Sequence, residues 1–399
     1  MQAAITRTAW LRLAALASVT ILVSSLGACT GSPDPPDQQS PTAQSSTPSP
    51  TAKAFVPVLE RYSEDVLGAG APAVFIQMKS RVGEWSKAAG VRSLENQEPV
   101  QLTDQVHVGD ITATMVAVSV MKLVEEGKVR LDDPITQYLP ELENVIRPSW
   151  PVTVRSLLNH RSGMPDYLEA VDGSEPLSHE NRLALAGTLP WKHNGSISVY
   201  IYSRSDYAAL ALLVEKLRGR ALEEVLHLDI AEPLGLQDTL MTGSQPGPQK
   251  MVHGYILLDG GGREDTTLPA ILIGSADSGM ISTVVDLNTF TAALIHGKLL
   301  KPSTVLEMLA PNQHEYGLGL MKRRDACSNN SYVGHFGQVQ GYVSVALTSA
   351  DGSRQLAMAL AYPPETWFAA LSSSSSTEDF NRHAEKMLEV AVEALNLAC

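Results

Sequence analysis

The chain has 399 residues, of which 30 are basic and 43 acidic, for a formal charge of −13. Removing a leader whose only charges are Arg7 and Arg12 leaves the rest at about −15, which argues against nucleic acid or an anionic lipid surface as the partner. There is no His-Glu-x-x-His and no paired Cys-x-x-Cys, and the ten histidines are scattered, so neither a metal nor a cofactor is expected.

Arg7 and Arg12 precede an uncharged apolar run from Leu13 to Leu26, which leads into Leu26-Gly27-Ala28-Cys29. The pattern predicts a lipoprotein signal peptide over 1–28, lipidation at Cys29 and export to the outer face of the cytoplasmic membrane. The run is short for a membrane span, which needs about 20 residues. Residues 29–53 are rich in Pro, Ser and Thr, too polar to fold, and predict a disordered tether. As a random coil it would hold the folded part roughly 30 Å from the lipid. With Cys29 lipidated, Cys327 and Cys399 remain, and in an oxidising compartment they predict one disulfide.

The folded segment, 54–399, exceeds the ~250–300 residues at which single cores stop growing, so two interleaved lobes are expected. An amphipathic helix near Ala54 to Leu67 leads into two alternating runs, Ala73 to Met78 and Glu84 to Val91, joined as a hairpin through Arg81-Val82-Gly83. Val106 to Pro140 reads as a strand end, a tight turn at Gly109 and a long helix. A helical, loop-rich stretch follows to about Leu240. After Gly274 come a helix, four strand-like runs (315–322, 332–336, 342–348 and 355–361) and a final helix from about Thr377 to Leu397. The fold class is α+β: an antiparallel sheet flanked by helices, with an all-helical insertion lobe. The sheet lobe is expected from about 54–105 and 275–399, the helical lobe from about 106–274.

Several segments carry a family resemblance when taken in order. They are the Gly109 turn with the Leu123-Val124-Glu125-Glu126-Gly127-Lys128 run, Leu157 to Tyr167, Glu232 to Met241, Ser275 to Leu287, and Tyr316-Gly317-Leu318-Gly319-Leu320. Together they resemble the serine β-lactamase and penicillin-binding protein superfamily, in its class C β-lactamase and D-Ala-D-Ala carboxypeptidase branch. The resemblance places Asp110 and Ala113 at the positions of the catalytic Ser-x-x-Lys. A serine at a helix start needs a base, and a lysine three residues on lies on the same face one turn later. Asp110 cannot form the acyl-serine ester and Ala113 has no amine. Loss of such a nucleophile costs about six orders of magnitude in another serine hydrolase. Ser119-Val120-Met121-Lys122 is the one literal match in the chain, but nine residues along the helix it is turned about 180° and displaced roughly 13 Å.

The same resemblance aligns Tyr202-Ser203-Arg204 with Tyr-x-Asn, so Tyr202 retains the proton-shuttling position and Arg204 replaces the asparagine. His335-Phe336-Gly337 aligns with the Lys/His-x-Gly strand that recognises a substrate carboxylate, and the backbone N–H groups of Gln338 and Asp110 become the implied oxyanion donors. Asp110 also suits a helix N-cap, and a pairing of Arg204 with its carboxylate is expected. His160 and His253 read as structural. Three functional readings stand: a pseudoenzyme binding cell-wall (peptidoglycan) peptide, a β-lactam-like ligand or a protein partner in the old cleft; a hydrolase of amide, β-lactam or ester bonds using Tyr202, His335 and Asp110; and a structural envelope lipoprotein.

Overall fold

The computed structural model describes residues 53–148, 150–172, 175–192, 199–243, 250–257, 262–310, 315–361 and 377–399. The expected signal peptide, Cys29 and the tether up to residue 52 lie outside the described residues.

Helix α1 (Val56–Gly68) has a proline in its first turn and buries Leu59, Tyr62 and Val66 along one face. Strands β1 (Ala73–Ser80) and β2 (Gly83–Gly90) form the expected hairpin. Far along the chain follow β3 (Met321–Arg324), β4 (Ser331–Val339), β5 (Tyr342–Ser349) and β6 (Gln355–Ala361). The two groups join in one antiparallel six-stranded sheet of order β2-β1-β6-β5-β4-β3, with Val74 opposite Leu360 and Val345 opposite Met358.

Side-chain size alternates with the pleat, and that alternation decides what covers each face. Val74, Ile76, Met78, Val345, Leu356, Met358 and Leu360 point to one side, where they pack with α1 and the C-terminal helix α6 (Thr377–Asn396) through Leu59, Met387, Ala391 and Leu395. The other face carries Ala346, Ala357, Ala359 and Ala361. These small residues admit helices closely. Against this side lie α2 (Ile111–Glu125), which is buried along almost its whole length, and α5 (Val284–Ile295), capped by Thr283 accepting from the Asp286 N–H at 3.1 Å. Two further helices complete the set used below, α3 (His179–Ala186) and α4 (Arg204–Arg218), the latter closed by Gly219 in the left-handed region. Short antiparallel pairs also occur between them: Val106–His107 and Leu240–Met241 both on Met280–Ser282, and Tyr255–Leu257 on Arg263–Asp265.

One strand reading needs correction. The run 315–322 was expected to be a strand throughout, yet only Met321 and Lys322 join β3; Tyr316 to Leu320 form a turn, bridged from Tyr316 to Met321. Gly319 explains it. Its φ is +74°, and an added Cβ would lie 2.4 Å from the Cβ of Ala117 on α2. The turn presses its backbone onto that helix, where Thr114 donates to the Gly319 carbonyl at 2.7 Å.

Candidate active site

Two glycines bring the start of α2 against β4. Gly109 has φ +53°, and a Cβ there would meet the Gln338 nitrogen at 2.6 Å; a Cβ on Gly337 would meet the Val108 carbonyl oxygen at 1.9 Å and the Asp110 nitrogen at 2.7 Å. Nothing larger than hydrogen fits on either side of this contact. The Val108 carbonyl is further fixed by the Ser344 hydroxyl at 2.8 Å, and its N–H donates to the Met280 carbonyl at 3.1 Å.

Asp110 emerges from this contact at the helix N-cap position, only 8% exposed. The capping role expected for it is not observed. Its φ and ψ, −63° and −5°, are already helical rather than extended, and its side chain makes no capping bond. Its carboxylate turns outward instead. One oxygen accepts from the Tyr202 hydroxyl and the other from the Gln338 N–H at 3.3 Å. Ala113 lies one turn on, 3% exposed within the apolar core. Ser119 is fully buried, and Lys122 is turned toward Asp229, bonding its carbonyl at 2.7 Å; neither reaches the site.

The expected pairing of Arg204 with Asp110 is overturned. Arg204 opens α4, and its guanidinium pairs with Asp166 at 2.8 Å and with Asp277 at 3.6 Å, lying over the Tyr202 ring at 5.1 Å from its centre. Two carboxylates held by neighbouring loops outcompete a third that already has two neutral donors. Asp277 is itself set by the hydroxyls of Ser275, at 2.6 Å, and Ser278.

His335, on β4, is 5% exposed; its Nδ1 faces the Phe336 carbonyl and its Nε2 lies 3.2 Å from the Tyr316 hydroxyl. Burial lowers its pKa, opposed by the nearby Asp110 charge. His160 sits behind Tyr202, with ring centres 4.7 Å apart, and its Nδ1 is 3.0 Å from the fully buried Asp206. Burial pulls its pKa down to about 4, so the ring is neutral at pH 7. Burial equally raises Asp206 well above the carboxylate range. Desolvation also pushes the Tyr202 hydroxyl well up, so it remains a proton donor at neutral pH. His253 lies away from this group, 2.6 Å from Asp265 near the surface.

Asp110, Tyr202, Gln338 and Gly337 therefore meet directly, and His335 and Arg204 flank them. The beta-lactamase family model matches residues 70–391, most of the chain. The protein belongs to the beta-lactamase family. Among similar proteins, one of Bacillus subtilis (strain 168) named as a penicillin-binding protein, PbpX, is 25% identical over 58% of this chain, which spans 56% of that protein's length. The teichoic acid D-alanine hydrolase of Staphylococcus aureus is 23% identical, over 75% of this chain and 74% of its own. The crystal structure of a D-stereospecific amidohydrolase from Streptomyces sp. superposes with a TM-score of 0.68 at 27% identity, covering 77% of this chain and 94% of that one. Against this beta-lactamase frame, two contributors to the site escaped the sequence reading, Asp166 and Asp277. Both stand inside segments that carried the resemblance, Leu157 to Tyr167 and Ser275 to Leu287. Their acidic side chains next to an arginine in the Tyr-x-Asn position were the available signal.

Proposed function

We propose that this member of the beta-lactamase family has lost acyl-serine turnover and serves as an exported binding protein, lipidated at Cys29, that takes a cell-wall peptide or a related D-amino-acid compound in the old cleft. One observation carries the reading: the Asp110 carboxylate lies between the Tyr202 hydroxyl and the Gln338 N–H. Those are the groups that, by the family resemblance, would shuttle a proton and stabilise an oxyanion. Here a fixed negative charge of the chain itself faces both. A substrate carbonyl entering the cleft would meet a carboxylate in place of a hydroxyl, and the methyl of Ala113 supplies no base. The names of the similar proteins, a D-alanine hydrolase and a D-stereospecific amidohydrolase, support the choice of ligand chemistry.

The test is intact mass spectrometry of the full chain in detergent, incubated with a reactive penicillin and separately with an activated ester, beside the Asp110→Ser, Ala113→Lys double variant. The expected result is no adduct on the natural chain and a stoichiometric adduct on the variant. A stoichiometric adduct on the natural chain would overturn the proposal and, mapped to a peptide, name the working nucleophile. The direct Tyr202–Asp110 hydrogen bond favours a second reading, a hydrolase using this pair; it requires turnover that disappears in Tyr202→Phe.

A further inference from the structure

A second guanidinium is buried near the partners of Arg204. Arg182, on α3, is 1% exposed. Its Nη2 donates to the carbonyls of Ile271 at 3.0 Å and Ile273 at 3.1 Å, and its Nη1 to that of Gly274 at 3.4 Å. A further bond, at 3.5 Å, goes to the ring of His179, which burial keeps neutral. None goes to a carboxylate, and Nε has no partner among the described residues. Taking an ion out of water without a counter-ion in contact is costly, and the three backbone carbonyls are what offset it here. An apolar side chain of similar volume would avoid that cost, so the contribution of the guanidinium lies in what it holds.

It holds the two loops that carry the partners of Arg204. Gly274, the last of the bonded carbonyls, runs directly into Ser275 and Asp277, and the Ser275 hydroxyl donates to Asp277 Oδ1 at 2.6 Å. On its other side the guanidinium lies over the ring of Tyr167, 5.6 Å from its centre, and Tyr167 follows Asp166 in the chain. The Tyr167 hydroxyl donates to the same Asp277 Oδ1 at 3.4 Å, while Oδ2 is the oxygen that pairs with Arg204 at 3.6 Å. Asp277 and Arg182 act in opposite senses on the Tyr167 hydroxyl and on His179, so Asp277 lies within reach of both guanidiniums. The Ser205 hydroxyl, on α4, ties the first loop through the Tyr167 N–H and the Pro165 carbonyl. Arg182 touches both.

We infer that Arg182 is a positioning residue of the cleft: by holding both loops it fixes Asp166 and Asp277, and through them the place of Arg204 over the Tyr202 ring. A planar fork bonded to several carbonyls sets direction as well as distance, which a single ammonium does not. Arg204 stands where the family resemblance implies the asparagine beside the ligand, so its placement shapes that wall of the cleft. The inference holds whether the cleft only binds its ligand or also turns it over, and so it stands apart from the proposal above.

The experiment is NMR of the full chain in detergent, isotope-labelled in arginine and tyrosine. The Arg204 Nε–H signal is identified by its loss in Arg204→Lys, and the Tyr202 ring signal by its loss in Tyr202→Phe. In Arg182→Lys, which keeps the charge but not the fork, both signals are expected to shift and the Arg204 Nε–H to exchange with water severalfold faster. Arg182→Met, uncharged and of similar length, keeps the test readable should the lysine variant fail to fold, and its change should be the larger. Arg354→Lys is the control for stability alone. It weakens the buried Arg354–Asp325 pair, 2.7 Å apart, whose members belong to neither loop, so it should lower the melting temperature and leave both signals in place. Unchanged Arg204 and Tyr202 signals in a folded Arg182 variant, or the same shifts in Arg354→Lys, would each overturn the inference.

Discussion

Asp110 and Asp325 are both buried aspartates beside the same sheet, and they are held in opposite ways. Asp325 is 2% exposed and forms a two-pronged pair with Arg354, at 3.1 and 2.7 Å, supplemented by the Ser328 hydroxyl and the Cys327 N–H. Burial pushes its pKa up, but Arg354 and these donors outweigh burial and leave it lowered. Arg354 also bonds the Tyr332 hydroxyl at 2.7 Å, and Tyr332 reaches Asn396 near the chain end. This is a latch on the C-terminal helix. Asp110, by contrast, has neutral donors and sits where the family resemblance expects chemistry. A carboxylate matched by a guanidinium is part of the scaffold; one matched by a phenol and an amide can exchange those partners for a ligand.

The largest effect should come from breaking the latch. Asp325→Ala strands the buried Arg354 charge and is expected to destabilise the protein by about 3–5 kcal/mol in urea unfolding. A loss under about 1 kcal/mol would mean that the Cys327–Cys399 disulfide and the apolar packing of α6 hold the helix without this ion pair.

A smaller effect is expected from pH. His107, His160 and His179 are each lowered to about 4, chiefly by burial, whereas the unfolded chain titrates near 6.5. Below 6.5 the unfolded state takes up protons that the folded state refuses. Stability is therefore full above about pH 6.5 and falls as pH drops toward 4. Asp206, raised by burial, works in the other sense, since its folded carboxyl keeps a proton that the unfolded chain gives up. The lowered imidazoles outnumber it, so a net loss of stability is expected between about pH 7 and 4.5. A flat profile there would show that the buried imidazoles gain solvent or partners on acidification.

Asp110 gives the smallest change and separates scaffold from site most cleanly. Asp110→Ala leaves the Tyr202 hydroxyl and the Gln338 N–H without their shared acceptor, at a cost of about 1–3 kcal/mol. Asp110→Asn keeps a carbonyl oxygen there and should cost less than about 1 kcal/mol. Equal melting temperatures for the two variants would indicate that these hydrogen bonds contribute little and that the carboxylate is retained for its charge.

Much of the fold could be read in the sequence because its signals are local. The alternation of Val74, Ile76 and Met78 with Ala73 and Phe75, and of Leu356, Met358 and Leu360 with Ala357 and Ala359, carries both strand identity and the choice of covering helices. The expected Cys327–Cys399 disulfide is present, with Cα atoms 5.6 Å apart. The residues from Tyr316 to Leu320 suggest a strand because most are apolar; the close approach of α2, far away in sequence, goes with Gly319 in the left-handed region. In the site, Asp110, Ala113, Tyr202, Arg204, His335, Gly337 and Gln338 could be placed only by resemblance. Their partners could not be placed at all. Arg204 meets Asp166 across 38 positions and Asp277 across 73, and no periodicity runs between them. Charge alone points Arg204 at Asp110, whereas the fold brings it the carboxylates of Asp166 and Asp277.

The disulfide has one further consequence, which concerns topology. Cys327 and Cys399 close a covalent ring of the chain that contains β4, β5, β6 and the whole of α6. A single peptide bond cut anywhere between the two cysteines opens that ring without releasing a fragment. The cleft-bearing strand and the last helix thus remain one molecule after a nick that would divide an uncrosslinked chain.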